Sequence, residues 1–394
     1  MIHTQPKRIR RTAAVPDFAG SSSHIPDDII FFQILILLPV KCFVRVQSVC
    51  KSWRAAMLSA HFIRCHLEHS RTRLSLVVTP RRYEVYHKKF GLLGVNFYSF
   101  QPGQSKVAKL ILEKRCPRGI PMFSMPLHCD GPILIPCTTG RIFLCNPTTR
   151  EVAFGRDPCT GKYKVARHFF RSYAETPQED GEGTVLEYSA GHEILTTVDA
   201  WKWKATMDPP YAINARTPIC LPGFFYWSAL HSITGHGHNK VCSHVILQFS
   251  LHDETFIVHP NPPCRGFLSN NDTLCELGGK LCYVHSSSPW NVDIWLAEDG
   301  PNLAWLQRCR LRLPLPRLLT VFACASADRD KIFLSIDASY LLKCDLRNGS
   351  VEKIIDMADL VYDNQDGTKF CTGVQSVVHY VVPCVESLLR IRPW

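Results

Sequence analysis

The chain has 394 residues, 46% of them hydrophobic and 20% charged. That balance excludes a low-complexity chain and supplies apolar material for two or three domains. The net charge of +11 is unevenly placed. Lys7, Arg8, Arg10 and Arg11 crowd the amino end, and the segment from Arg71 to Arg118 is rich in Lys and Arg against only Glu84 and Glu113. Glu175, Glu179, Asp180, Glu182 and Glu187 form an acidic stretch. A basic excess can attract nucleic acid, but no nucleic-acid motif accompanies it. A solvated surface with a basic patch is the simpler reading.

The 18 cysteines include no C-x-x-C pair, the tightest common zinc spacing. Met1 is followed by a polar, basic stretch without the apolar core of a signal peptide. Most cysteines sit in apolar runs, as Cys145 does in IFLCNP and Cys282 in KLCYVH. They are expected to be reduced, buried, small hydrophobes of a cytoplasmic or nuclear protein. No apolar run reaches the roughly 18–20 residues that cross a bilayer. The longest, around Ile29 to Val40, is broken by Gln33 and Pro39.

In chain order, residues 1–23 read as a disordered basic tail. Its KRIRR run is a solvated segment or, alternatively, a nuclear-import signal. Residues 24–69 read as helices. Asp27 and Asp28 place negative charge at a helix start, Pro26 is tolerated in a first turn, and Ile30, Ile34, Leu37 and Leu38 recur at helical spacing. Pro39 stops that helix because it lacks an N–H and restricts the residue before it. A second helix is expected over Cys42 to Val49 and a third over Ser52 to Leu58, with Phe62, Ile63 and Leu67 continuing the pattern. A unit of about 45 residues is close to the limit for a self-sufficient core. With this much apolar surface, it should be covered by a partner.

After Leu74 the apolar runs shorten and turn residues punctuate them. Strands are expected at Leu74–Val78, Ile133–Ile135, Ile142–Cys145, Ile194–Val198, Phe224–Trp227, Val245–Phe249, Thr255–Val258, Leu281–Val284, Val292–Leu296, Ile332–Ile336 and Tyr340–Cys344. RIFLCNPTTREV (141–152), HVILQFSLHDETFIV (244–258) and YLLKCDLRNGSVEKI (340–354) share a strand, polar hairpin, strand form. This weak repeat favours a propeller over a sandwich or barrel, with about six or seven blades at about 40–50 residues each.

Several motifs carry a resemblance. Ile25-Pro26, Asp27-Asp28, Ile34-Leu35, Leu38-Pro39-Val40-Lys41 and Ser48-Val49-Cys50-Lys51-Ser52-Trp53-Arg54 come one after another, continued by His61-Phe62 and His66-Leu67. This segment resembles the F-box of plant proteins. Downstream, Leu144-Cys145-Asn146-Pro147-Thr148-Thr149-Arg150-Glu151, Phe225-Tyr226-Trp227, Asp253-Glu254-Thr255-Phe256, Leu277-Gly278-Gly279-Lys280-Leu281-Cys282, Asp293-Ile294-Trp295 and the terminal Glu386-Ser387-Leu388 are similar to plant F-box-associated domains. The resemblance implies a small all-α F-box (24–69) followed by an all-β propeller-like domain (74–390).

It further implies a substrate receptor of an SCF-type cullin-RING ubiquitin ligase, non-catalytic itself. The F-box would dock on a Skp-family adaptor, and through it on cullin and RING subunits, while the β domain holds a target protein of unknown identity. Carried over by position, Ile25, Pro26, Ile29, Ile30, Ile34, Leu38, Pro39, Val49 and Trp53 present apolar groups to the unit's own core or to the adaptor. The chain departs from the family pattern where Phe31, Phe32, Ile36 and Leu37 stand in places that usually carry polar or charged residues.

Other chemistry is weaker. His231, His236, His238 and His244 lack a fixed spacing and a supporting carboxylate, so a His/Gly loop is read there and no metal or cofactor is expected. His192-Glu193 is not followed by a second His at the metalloprotease spacing, and no phosphate-loop or nucleophile-elbow motif occurs. Trp201-Lys202-Trp203-Lys204 reads as strand alternation rather than a nucleic-acid surface. Cys50 is read as packing within an apolar helix, and Asn146-Pro147-Thr148-Thr149 as a structural turn. The alternatives are an F-box regulator acting outside the ligase and an enzyme on the propeller, which no catalytic constellation supports.

Overall fold

The computed structural model describes residues 25–71, 75–82, 92–117, 127–128, 133–136, 142–145, 157–162, 164–177, 184–196, 202–213, 218–231, 243–264, 272–298, 303–314, 321–328, 330–337, 339–373, 377–385 and 387–388. The basic tail, the Asn146–Thr149 turn, Trp201 and the His/Gly loop around His236 and His238 lie outside these residues.

Pro39 sets the geometry of the amino-terminal unit. Before it run one α-turn (Asp27–Ile29), a π-helical turn (Ile30–Ile34) and a 3-10 turn (Leu35–Leu37). Leu38 is then extended, as a residue preceding proline prefers. Pro39 opens the next helix, Val40–Val46, and helices Lys51–Met57 and Ala60–Arg71 come after it. The stripe read at Ile30, Ile34, Leu37 and Leu38 splits. Phe31 and Leu35 are buried, Ile30 and Leu38 pack at the edge of their cluster, and Ile34 and Leu37 face solvent. The segment is apolar nearly all round, so periodicity could not choose a face, and the wider π turn rotates the residues after it.

Cys50 also differs from expectation. It is exposed and lies outside any helix, at the cap of Lys51–Met57, where its Sγ accepts from the Trp53 N–H at 3.5 Å. Its contact with the Ser52 hydroxyl at 3.1 Å is the main reason its thiol titrates below the usual value. The cysteines as a group divide: Cys275, Cys282, Cys344 and Cys384 are buried as expected, whereas Cys159 and Cys371 are exposed.

The remaining described residues form mostly antiparallel sheets arranged as a β-propeller. Six sheets are present among them. Two are plain four-stranded meanders, Thr273–Leu277 to Trp305–Arg312 and Val321–Asp328 to Val351–Asp356. The expected count of six or seven blades is not confirmed by these sheets, because two others have only three described strands. Hairpin chemistry fixes the registers. Gly278 and Gly279 both have positive φ, the requirement of a two-residue type I′ connection, and they join Leu277 to its partner Lys280. Alternation along these strands sends Cys282, Val284, Ile294, Leu334 and Leu342 into one shared core.

The ring is closed by strands from both of its ends. Ser75–Arg82 pairs with Val377–Cys384, and Val107–Pro117 pairs in parallel with Val361–Asp363. This strand order covers the outer edges of Ser75–Arg82 and Val107–Pro117 with strands from the end of the chain. Of the strand alternation expected at 201–204, the described residues show a short strand, Trp203–Ala205. There Trp203 lies 4.2 Å beneath the Arg167 guanidinium, and Lys204 reaches Glu254 at 2.8 Å.

Candidate functional site

The core of the amino-terminal unit is built on rings. Phe31 meets Trp53 edge-on at 5.9 Å and Phe62 at 6.2 Å. Phe43 meets Phe62 at 5.7 Å and His66 at 5.0 Å. Edge-to-face pairs of this kind add to simple area burial. Met57, Leu35 and Val40 complete the cluster. The break at Pro39 would leave the Leu38 carbonyl without an in-helix donor. His66 supplies one: its Nε2 lies 3.0 Å from that oxygen, so Nε2 carries the proton. Nδ1 is then free to accept from the Ser70 hydroxyl at 3.3 Å.

The same short segment leaves large apolar side chains outside. Ile25, Ile29, Phe32, Ile34, Leu37 and Val49 each expose between 36% (Phe32) and 62% (Val49) of their surface. Isolated exposed apolar residues are ordinary, but a group of them within one small unit marks a contact surface. Of the nine residues carried over from the family, Ile25, Pro26, Ile29, Ile34, Pro39 and Val49 are exposed. Ile30, Leu38 and Trp53 are half-buried and pack on the inner cluster. The departures at Phe31 and Phe32 divide as well. Phe31 is core, whereas Phe32 sits at the surface beside His61, 5.2 Å between ring centres. Phe32 and Leu37 therefore join the exposed set, a role the sequence alone did not assign.

The propeller offers few groups placed for chemistry. Asp272 accepts from the Tyr283 hydroxyl at 3.0 Å, from His285 Nδ1 at 2.9 Å and from the Ser286 N–H at 2.9 Å. The His–Asp pair has the form of a catalytic couple, but His285 is wholly buried and no substrate proton can reach it. Asp157, Cys159 and His252 bring three metal-ligand types within 4.8 Å. Both Asp157 oxygens are already engaged by its own turn, from the Cys159 N–H and the Thr160 hydroxyl, which accounts for a buried acid there. His192 lies among Trp227, Phe249 and Phe256, with Nδ1 against the Thr206 hydroxyl. Burial, assisted by nearby His168, pushes its pKa down to about 4, so it stays neutral.

A β-propeller closed by its own termini, with a small helical unit at the amino end, is the class these features define. The chain belongs to the plant F-box proteins with an associated propeller: residues 97–325 match the family described as "F-box associated beta propeller domain". Among its relatives are Arabidopsis thaliana proteins named as F-box proteins. One is 24% identical over 76% of this chain and 75% of its own length, and another 24% identical over 78% and 75%. A third, named as an F-box/kelch-repeat protein, is 23% identical over 70% of this chain and 63% of its own length. Among solved structures, an oligogalacturonate lyase in complex with manganese aligns over 71% of this chain at 14% identity with a TM-score of 0.38, too loose a likeness to bear on activity. Among the described residues no helix is long and apolar enough to cross a membrane.

Proposed function

We propose that this protein is a substrate receptor of an SCF-type ubiquitin ligase. The helical unit docks on a Skp-family adaptor, and through it on cullin and RING subunits, while the propeller holds a target protein. The observation that carries this reading is the exposed apolar set Ile25, Ile29, Phe32, Ile34, Leu37 and Val49, which stays outside the unit's packed core cluster. Fully burying one Leu or Ile contributes about 1.5–3 kcal/mol, so several partly exposed anchors suffice for a stable dock. The receptor is itself non-catalytic, acting by proximity. Among the described residues, the Asp272–His285 pair, which has the form of an acid–base couple, is sealed from solvent. A ring of six or seven blades belongs to the same reading. So does residence in the cytoplasm or nucleus, where such ligases work.

Co-purification of the full chain with a Skp-family adaptor tests the proposal. The double variant Ile34→Asp, Val49→Asp changes two exposed side chains and no core contact. It should weaken capture by about a hundredfold or more, equivalent to about 2.7 kcal/mol. Capture unaltered by both charges would place the docking surface elsewhere.

A further inference from the structure

The last strand of the ring, Val377–Cys384, runs against the first, with Cys384 opposite Ser75 and Val377 opposite Arg82. Ser75 stands shortly after the helix Ala60–Arg71. The register therefore delivers Cys384 to the place where the ring meets the helical unit. Four residues further on, within about 14 Å of extended chain, comes Leu388. It lies inside the aromatic core of that unit, 8% exposed, in one cluster with Phe31, Leu35, Val40, Phe43, Met57 and Phe62. Among the described members of that cluster, Leu388 alone comes from outside residues 30–63. Ser387 beside it is fully buried. On the ring side the path is pinned by the Val385 N–H, which donates to His128 Nε2 at 3.1 Å.

We infer that Leu388, with Ser387 beside it, is a latch that completes the core of the helical unit, making Leu388 a positioning residue for the exposed apolar face built on that core. A unit of about 45 residues has little core of its own, and one further buried leucine is a large addition to it. The same leucine is tied through four residues to the strand that closes the ring, so closing the propeller and completing the unit are one event. The unit is thereby held at a fixed attitude to the ring, which a receptor working by proximity requires. The identity of the face's partner rests on the docking reading given above; the latch itself does not.

The test compares full-length wild type, Leu388→Asp and Leu388→Met. Amide hydrogen exchange is measured separately over residues 40–67 and over the ring strands 273–297, and adaptor affinity is measured in parallel. Leu388→Asp should raise exchange across 40–67 at least tenfold and leave 273–297 unchanged, with adaptor binding weakened about tenfold or more. Leu388→Met, which refills the volume, should restore both. Unchanged exchange across 40–67 in Leu388→Asp overturns the latch, and so does an equal rise in both regions, which would mark a general fold contact. Should the wild type bind no adaptor, the docking reading fails while the exchange comparison still decides the latch.

Discussion

The helical unit and the propeller treat apolar surface in opposite ways. In the ring, strand alternation and sheet-on-sheet packing bury Val284, Ile294, Leu334 and Leu342 completely. The exposed large apolar residues there, such as Met207, Trp290 and Leu306, are spread over a far longer stretch of chain, with Ile257 and Val258 as neighbours on one strand. In the unit, the turns from Asp27 to Leu37 supply both core residues, Phe31 and Leu35, and a surplus that faces solvent, Ile29, Phe32, Ile34 and Leu37. The difference comes from size. A ring of this length can fold its apolar groups inward, whereas a unit near the lower limit of independent stability cannot cover what it carries. Surplus apolar surface on the smaller body points to a partner, and its scarcity on the larger body points to a scaffold.

That contrast predicts unequal consequences for similar core deletions. Phe62→Ala removes the ring that touches Phe31 and Phe43 and should cost about 3–5 kcal/mol. Such a loss exceeds what a small unit can absorb, so helical structure over 40–67 and adaptor capture should both disappear. Leu334→Ala in the ring core should cost about 2–5 kcal/mol yet leave capture intact, because many neighbouring strands share the load. Calorimetry together with adaptor pull-down distinguishes the two; equal loss of capture would mean that unit and ring melt together.

The ring carries a pH dependence centred on one buried histidine. His192 has its pKa lowered to about 4 by burial and by His168, against Asp208 and Glu254, which act to raise it. The unfolded chain takes up a proton at this site near pH 6.5, while the folded chain does not until about pH 4. Stability is therefore unaffected by His192 above about pH 6.5, falls between about 6.5 and 4, and levels off below. The full span amounts to about 3 kcal/mol. His168 and His259 are lowered by burial in the same direction and add to the slope. In chemical denaturation at about pH 7 and about pH 4.5, His192→Phe should narrow the difference by about 2–3 kcal/mol; an unchanged difference would assign the slope to other groups.

Much of this organisation was legible in the sequence. Pro39 announced the helix break, Gly278-Gly279 the tight hairpin, and short runs such as Ile332–Ile336 and Tyr340–Cys344 appear as strands within a residue of their expected ends. Polar-rich strands were harder to see. Trp305–Arg312 and Lys164–Pro177 alternate with charged residues that are consumed in pairs: Arg310 with Asp293, Lys164 with Glu254 and Arg167 with Glu193. The inner face at Phe31 and Leu35 was hidden because every face of that segment is apolar. Leu388 was visible as part of a terminal motif, but only the Ser75–Cys384 register brings it to the helices. Long-range closure leaves no local periodicity to read.

The smallest effects are expected where charges meet at the seam between two sheets of the ring, and here burial separates two lysines that share one partner. Glu254, at φ 58° in a region that disfavours side chains, receives Lys164 at 2.9 Å and Lys204 at 2.8 Å. Lys164 is 8% exposed and also donates to the Leu251 carbonyl; Lys204 is 70% exposed. Lys164→Met leaves a buried carbonyl without that donor and a carboxylate half-paired, and should cost about 1–3 kcal/mol. Lys204→Ala removes a solvent-screened pair with Glu254 and should cost at most about 1 kcal/mol. Raising the salt concentration should narrow the effect of Lys204→Ala and leave that of Lys164→Met nearly unchanged. Denaturant midpoints at low and high salt read both; a Lys204→Ala effect equal to that of Lys164→Met would mean that Glu254 is held chiefly from the solvent side.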